Sequence, residues 1–184
     1  MSRRFLLPII VVIGLFTPTV AQAAPPYEHM RYSGSDSFTN MICGLDVTID
    51  VEYRGVFTIR TVKDSGGQAF LAHDNHESVE TITNPATGNQ LIITTNDVFH
   101  EQRAKHVDGN AWLFEAVNAG TFTLTTPEGA RLLRDRGVIK FRAVFDTLGD
   151  GQPGGIQLSE EVLAVHGPHA DESTFCSAFL GQLT

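Results

Sequence analysis

Two short segments of this chain combine histidine with acidic residues, as metal sites do. His73, His76 and Glu77 fall within one stretch of five residues, and His166 and His169 are three positions apart near the C-terminus. Imidazole and carboxylate groups are common ligands of zinc and other transition metals. Residues three apart on a strand face opposite ways, so either histidine pair could share one ion only if its segment turns. We therefore treat these five residues as candidate metal ligands in polar loops, although their spacing matches no established motif.

Nucleophilic and acid–base catalysis have less support in the sequence. The chain has no Gly-x-Ser-x-Gly motif, and Ser65 stands in a glycine-rich turn with no neighbouring base to activate it. Glu160 and Glu161 are adjacent, so on a strand their side chains would point to opposite faces. We therefore expect no catalytic residue and no cofactor.

The aromatic residues favour binding over chemistry. The chain has twelve phenylalanines and one tryptophan, and most of them fall in segments that we predict to be strands. A small barrel has an interior that is filled either by side chains or by one small ligand. Packing in the core is the commoner fate of such residues, but five of them could line a ligand cavity: Phe57, Phe114, Phe122, Phe141 and Phe145.

The elements that would position these side chains are short strands. Between residues 45 and 53, apolar side chains alternate without a break with polar ones, which is typical of a half-buried strand. Turn sequences such as those at 64–67, 84–89 and 108–110 recur along the chain. This pattern predicts an all-β fold, an antiparallel β-barrel of about eight to ten strands, with a β-sandwich as the alternative. Residues 171–180 predict a short C-terminal helix.

The N-terminus has the features of a secretory signal. Arg3 and Arg4 precede an apolar run over residues 5–16, and Ala21 and Ala23 form a small-x-small cleavage site. We predict a signal peptide over residues 1–23, a flexible leader over 24–40 and a single β-barrel domain over 41–184. The predicted location is therefore extracellular, with no membrane span after cleavage.

Cys43 and Cys176 are the only cysteines in the chain. Two cysteines in an exported protein predict one disulfide bond, which would connect the first clear strand to the C-terminal tail. A reactive thiol would need a nearby base or a helix N-terminus, and neither cysteine has such a neighbour in the sequence.

The charge of the chain limits its partners. The formal net charge is −8, and removal of the signal peptide, with its two arginines, would make it −10. Such an acidic protein is a poor partner for nucleic acid or an anionic membrane. A small apolar ligand or a cell-surface partner is compatible with it.

The chain as a whole resembles a group of small secreted β proteins of actinobacteria. The resemblance rests on the signal peptide, the Cys43-Gly44 pair before an alternating strand, the Thr-Asn-x-x-Thr-Gly sequence at 83–88 and the final Cys176. It implies a fold and a compartment, and it offers no catalytic residues to carry over.

These observations favour a secreted, disulfide-bonded β-barrel that binds a small apolar ligand or a surface partner and catalyses nothing. One alternative is a secreted barrel enzyme of the isomerase or cyclase type, with residues 73–77 as its site. Another is a structural protein of the cell envelope.

Overall fold

The computed structural model describes residues 28–184 as one antiparallel sheet followed by a helix. The seven strands are paired in the order in which they occur in the chain. The predicted signal peptide, residues 1–23, and residues 24–27 of the predicted leader lie outside the described residues. The elements are β1 Glu28–Ile42, β2 Leu45–Thr61, β3 Phe70–Thr83, β4 Gln90–Asp108, β5 Ala111–Thr125, β6 Arg131–Asp146, β7 Ile156–His166 and α1 Glu172–Leu183.

The strands are fewer and longer than predicted, since seven strands take the place of eight to ten. Gly55 and Gly120 lie inside continuous strands. Gly55 is paired with Tyr32 on one side and His76 on the other. The predicted leader also contributes, because β1 begins at Glu28.

One face of the sheet carries the buried core, and we call it the inner face. It holds the odd-numbered residues of β2 and β6 and the even-numbered residues of β1, β3 and β5, because directly paired residues point to the same side. Ile49, Ile82 and Leu91 form one cross-strand row of this face and are almost fully buried. The outer face carries threonines and exposed ion pairs such as Arg103 with Glu115.

The sheet is strongly curled. Neighbouring strands lie about 4.8 Å apart, so β2 and β6 would be about 19 Å apart in a flat sheet. Instead, Phe57 of β2 and Phe145 of β6 line one pocket. The loops that follow these strands also meet, since a Cβ on Gly151 would lie 3.7 Å from the carbonyl oxygen of Gly67. Within residues 28–184, β1 and β7 are not paired with each other, so the predicted barrel is not confirmed and the sandwich alternative still fits.

Helix α1 covers one end of the inner face. Phe179 and Leu183 are fully buried there, against the row that contains Ile82. Asp171 caps the helix by accepting a hydrogen bond from the backbone N–H of Thr174 at 2.7 Å. This confirms the predicted C-terminal helix, which extends a few residues further than expected. No helix in residues 28–184 is long and apolar enough to span a membrane.

The predicted disulfide joins this helix to the sheet. Cys43, in the turn between β1 and β2, is bonded to Cys176 of α1, and the two residues are 133 positions apart. No free cysteine is present in the described part of the chain. The bond therefore connects the start of β2 to the C-terminal helix.

The hairpin at residues 84–89 holds the other end of α1. The carbonyl oxygen of Leu183 accepts hydrogen bonds from Asn84 Nδ2 at 3.0 Å, Thr87 Oγ1 at 3.1 Å and Asn89 Nδ2 at 3.4 Å. Helix C-termini leave carbonyl groups without partners, and these three side chains satisfy one of them. The turn predicted here is confirmed, and its polar residues serve the fold.

Candidate functional site

A partly enclosed, largely apolar pocket lies on the inner face at the end away from α1, and we call it the phenylalanine pocket. Its volume is about 330 Å³, at the small end of the range for ligand sites. It is more enclosed and more apolar than the larger depression of about 880 Å³ that crosses β1 to β4. Its lining residues are Phe57, Ile59, Phe70, Ala72, Glu101, Phe114, Phe145, Thr147, Pro153 and Gly154.

The local sequence explains why space remains at this point. Phe57 and Ile59 alternate onto the inner face of β2, and Ile59 is paired with Ala72 of β3. Because the side chain of alanine is a single methyl group, Ala72 leaves space for the pocket at this position. The loop after β6 closes one side through Pro153 and Gly154.

Glu101 is the titratable residue of this pocket. Its Oε2 atom accepts a hydrogen bond of 2.6 Å from the backbone N–H of Ala72. Burial raises the pKa of the Glu101 carboxyl, and the hydrogen bond from Ala72 acts in the opposite direction with a smaller effect. The pocket thus combines aromatic walls with two polar side chains, Glu101 and Thr147, as small-molecule sites commonly do.

The five phenylalanines predicted to line a cavity fall in three places. Phe57, Phe114 and Phe145 line the phenylalanine pocket. Phe122 packs edge-on against Phe175 of α1, with ring centroids 6.0 Å apart, and so belongs to the core. Phe141 stacks on Phe99 at 6.1 Å. Contact of any of them with a ligand stays a prediction.

A group of polar residues, which we call the polar belt, crosses the inner face between the pocket and the helix-covered core. It consists of Tyr32, Asp74, His76 and Asp97. His76 is paired with Asp97 on one side and with Gly55 on the other. Gly55 has no side chain, and a Cβ there would overlap the ring of Tyr32. This close approach allows Tyr32 of β1 to reach across β2 to β3.

Three residues of the polar belt are joined by a short chain of hydrogen bonds. The hydroxyl of Tyr32 donates to Asp74, whose two carboxylate oxygens lie 2.9 and 3.0 Å away, and His76 Nδ1 lies 3.1 Å from the same hydroxyl. Since the phenol proton goes to the carboxylate, His76 donates from Nδ1 to the phenol oxygen. Burial, and then the hydrogen bond to Asp74, raise the pKa of Tyr32 to about 12.

Asp97 completes the polar belt. Burial raises the pKa of its carboxyl, while the nearby His76 lowers it by a smaller amount. Its Oδ1 atom is buried and has no hydrogen-bond partner among the described residues. A carboxyl next to an imidazole can in principle give and accept protons.

The first group of predicted metal ligands is separated by the sheet. Residues 73–77 lie within β3, without the turn that a shared ion would need. His73 is on the outer face, in edge contact with His100 at a centroid distance of 5.0 Å. His76 is on the inner face, and Glu77 returns to the outer face, where it is bound by Arg54 at 2.6 Å.

The second group lies at the end of β7. His169 Nδ1 is 3.2 Å from Asp135 Oδ1, and its Nε2 is 3.2 Å from the carbonyl oxygen of His166. His166 therefore meets His169 through its backbone. Among residues 28–184, no group of three or more histidine, cysteine or acidic side chains is arranged to hold a metal ion.

Sequence reasoning did not select Glu101, Tyr32 or Asp97. A signal for two of them was present, because inner-face positions of β4 run through residues 91, 93, 95, 97, 99 and 101. Asp97 and Glu101 are acids in an otherwise largely apolar series. Tyr32 had no such signal, since its contact with His76 depends on the register of β1, β2 and β3.

No family model matches the chain, and comparisons with curated proteins and with solved structures also found no match. The fold and the site define the class of protein on their own. It is an all-β domain of one curled antiparallel sheet, with a disulfide-linked helix at one end and an apolar pocket at the other.

Proposed function

We propose that this is a secreted, non-catalytic binding protein for a small apolar ligand, with the phenylalanine pocket as its binding site. In this proposal the curled sheet acts as a barrel that is open along one side. The resemblance to small secreted β proteins of actinobacteria implies the same compartment. The disulfide between Cys43 and Cys176 supports an oxidising compartment, since such bonds are rare in the cytosol.

The observation that carries this proposal is the partly enclosed, largely apolar pocket. Its walls come from four phenylalanines and one isoleucine, and a single carboxyl interrupts them. An enzyme of the isomerase or cyclase type needs titratable groups that converge on the substrate. In the phenylalanine pocket Glu101 has no such partner among the lining residues of the described chain.

Native mass spectrometry of the mature protein, purified from its own culture medium, tests this proposal. We expect a chain that begins at Ala24 and carries one small organic molecule. The variant Ala72→Phe should remove the extra mass, because the larger side chain fills the floor of the pocket. The control Ala119→Leu enlarges an alanine on the outer face and should retain it. A wild-type mass equal to the bare oxidised chain would contradict the proposal.

The polar belt favours an enzyme as the second candidate function. Its relay of Asp74, Tyr32 and His76 leaves Nε2 of His76 as the group that would exchange a proton with a substrate. Such an enzyme would catalyse deuterium incorporation next to the carbonyl group of small ketones in D₂O, which NMR detects. Incorporation by the wild type that is lost in His76→Gln would favour this candidate. Equal rates in both proteins would exclude this role for His76.

The remaining alternatives are a surface partner and a structural role in the envelope. They are supported by the edge strand β7, where five aliphatic side chains are exposed: Ile156, Leu158, Val162, Leu163 and Val165. Exposed apolar residues on an edge strand are common at sites of association. A bare chain in the native mass measurement would turn attention to this strand.

A further inference from the structure

We propose that the ligand of the phenylalanine pocket is a small apolar amine whose protonated nitrogen binds to Glu101. This inference rests on the proposed function, because it names the class of ligand for that same pocket. It goes further, since an apolar pocket alone would accept a neutral hydrocarbon equally well.

The first argument is that the Glu101 carboxylate lacks a counter-ion. None of the lining residues in the described chain is lysine, arginine or histidine. The two causes that act on the pKa of Glu101 are burial and the backbone of Ala72, and neither involves a cationic side chain. A buried carboxylate without a cation is costly, so a ligand that brings a positive charge gains both an ion pair and a hydrogen bond.

The second argument is geometric. The backbone N–H of Ala72 donates a hydrogen bond to Oε2 of Glu101, and this hydrogen bond fixes the orientation of the carboxylate. The remaining lone pairs, including those of Oε1, are free to accept hydrogen bonds. An ammonium group has up to three N–H donors and suits such an acceptor, whereas an ester or ketone oxygen cannot donate to it.

The aromatic walls favour the same charge. Phe57, Phe114 and Phe145 contribute rings to the pocket that holds Glu101. The face of an aromatic ring attracts a cation, and the attraction is stronger when the cation is desolvated. An anionic ligand would gain nothing from these rings and would be repelled by the carboxylate.

The neighbouring strands add further negative charge. On β3, the inner-face residue after Ala72 is Asp74, and on β4 the inner-face acid before Glu101 is Asp97. The inner-face residues of β2 beside the pocket, Phe57 and Ile59, are uncharged. On β5, Glu101 is paired with Ala116, which is also uncharged. The nearest titratable groups of the inner face are therefore two carboxyl groups together with Tyr32 and His76, and none of them is a lysine or an arginine.

The volume limits the size of the ligand. Water occupies about 30 Å³ per molecule in the liquid, so a pocket of this size holds on the order of ten non-hydrogen atoms. A medium-chain alkylamine or a phenyl-substituted ethylamine fits this limit. A long-chain fatty acid or a sterol is too large for this volume.

Calorimetric titration with three matched probes tests the inference: octylamine, octanol and octanoate. We expect octylamine to bind to the mature protein at least about tenfold more tightly than octanol, because only the ammonium group forms an ion pair with the carboxylate, and we expect octanoate to bind most weakly. Equal binding of octylamine and octanol would overturn the amine inference and leave the apolar-ligand function standing. No binding of any probe would count against the proposed function itself.

Two variants locate the effect at Glu101. Glu101→Gln keeps an oxygen for the N–H of Ala72 but loses the charge, so it should reduce the affinity for octylamine at least about tenfold and leave that for octanol unchanged. Glu128→Gln removes an exposed carboxylate in the loop after β5 and should change neither affinity. A circular dichroism melt of each variant establishes that it is folded. Unchanged octylamine affinity in folded Glu101→Gln would refute the assignment.

The pH dependence provides a second readout. Octylamine stays protonated through the acidic range, so its binding should weaken as the pH falls and Glu101 takes up a proton. Octanol binding should not change over the same range. Loss of both together would indicate acid unfolding instead, and the melt at each pH separates that case.

Discussion

Removal of the disulfide should lower the thermal stability of this protein by a large amount. The bond between Cys43 and Cys176 closes a loop across 133 positions of the chain. In the unfolded state this link removes many conformations, whereas in the folded state the two residues are already adjacent. The double variant Cys43→Ser, Cys176→Ser restores those conformations to the unfolded chain and leaves the folded contacts of α1 in place.

The expected magnitude follows from the loop length. The chain-entropy description gives about 5 kcal/mol for a closed loop of this size. For a domain of about 150 residues, each kcal/mol shifts the melting temperature by roughly 2–4 °C. The midpoint should therefore fall by about 10–20 °C. Phe179 and Leu183 stay buried in the variant, so we expect it to fold at room temperature.

Differential scanning calorimetry with and without dithiothreitol is the assay. The wild type should melt at the lower temperature in the reducing buffer, and the double serine variant should melt there in both buffers. A shift below about 4 °C would correspond to roughly 1 kcal/mol and would refute the reasoning. It would mean that the unfolded chain already keeps its two ends close together.

Two further predictions concern the polar belt. Gly55→Ala should cost about 1–3 kcal/mol in urea denaturation, because the added methyl would overlap the ring of Tyr32 and lie 2.6 Å from the carbonyl oxygen of Asn75. Gly181→Ala in α1 meets nothing within 4 Å and should stabilise by about 0.5–1 kcal/mol, so equal effects of the two changes would contradict this reading. Burial raises the pKa of Asp97, so its contribution to stability is present below the unfolded pKa and is lost as the pH rises. Asp97→Asn should therefore melt above the wild type at pH 7 and level with it near pH 3, and a pH-independent difference would refute this.

Local sequence patterns predicted the parts of the fold that depend on neighbours in the chain. The alternation over residues 45–53, the hairpin turns at 84–89 and 108–110, and the capped C-terminal helix are all present. Each of these depends on alternating side chains or on turn chemistry within a few residues. The disulfide could also be predicted, because only one pairing was available.

The lengths of the strands could not be predicted in the same way. A glycine within an alternating segment indicates a break only if nothing else occupies the space of its missing side chain. At Gly55 that space is taken by the ring of Tyr32, and at Gly120 by Asp97 and the backbone of Asn96. Both neighbours come from other strands, so both glycines lie inside continuous strands where a larger side chain would not fit.

The candidate site was predicted in part for the same reason. Alternation places Phe57, Phe114 and Phe145 on one face of their strands, which is enough to suggest a shared interior. Which of them meet depends on how far the sheet curls, and this is why Phe122 belongs to the helix-covered core instead. The position of the Glu101 carboxyl in the pocket depends on Ala72, a residue of another strand. Ala72 has a small side chain, and its backbone N–H donates a hydrogen bond to that carboxyl.

The two ends of the inner face differ in what their buried residues do. The end covered by α1 contributes fully buried Ile82, Leu91 and Phe179 and a cross-link worth about 5 kcal/mol. The end with the phenylalanine pocket has a buried cluster of its own, formed by Ala69, Leu71, Trp112 and Phe114, with Phe145 packed against it. Phe114 and Phe145 therefore belong both to this core and to the pocket wall, so a change at Ala72 separates binding from stability better than a change at either phenylalanine.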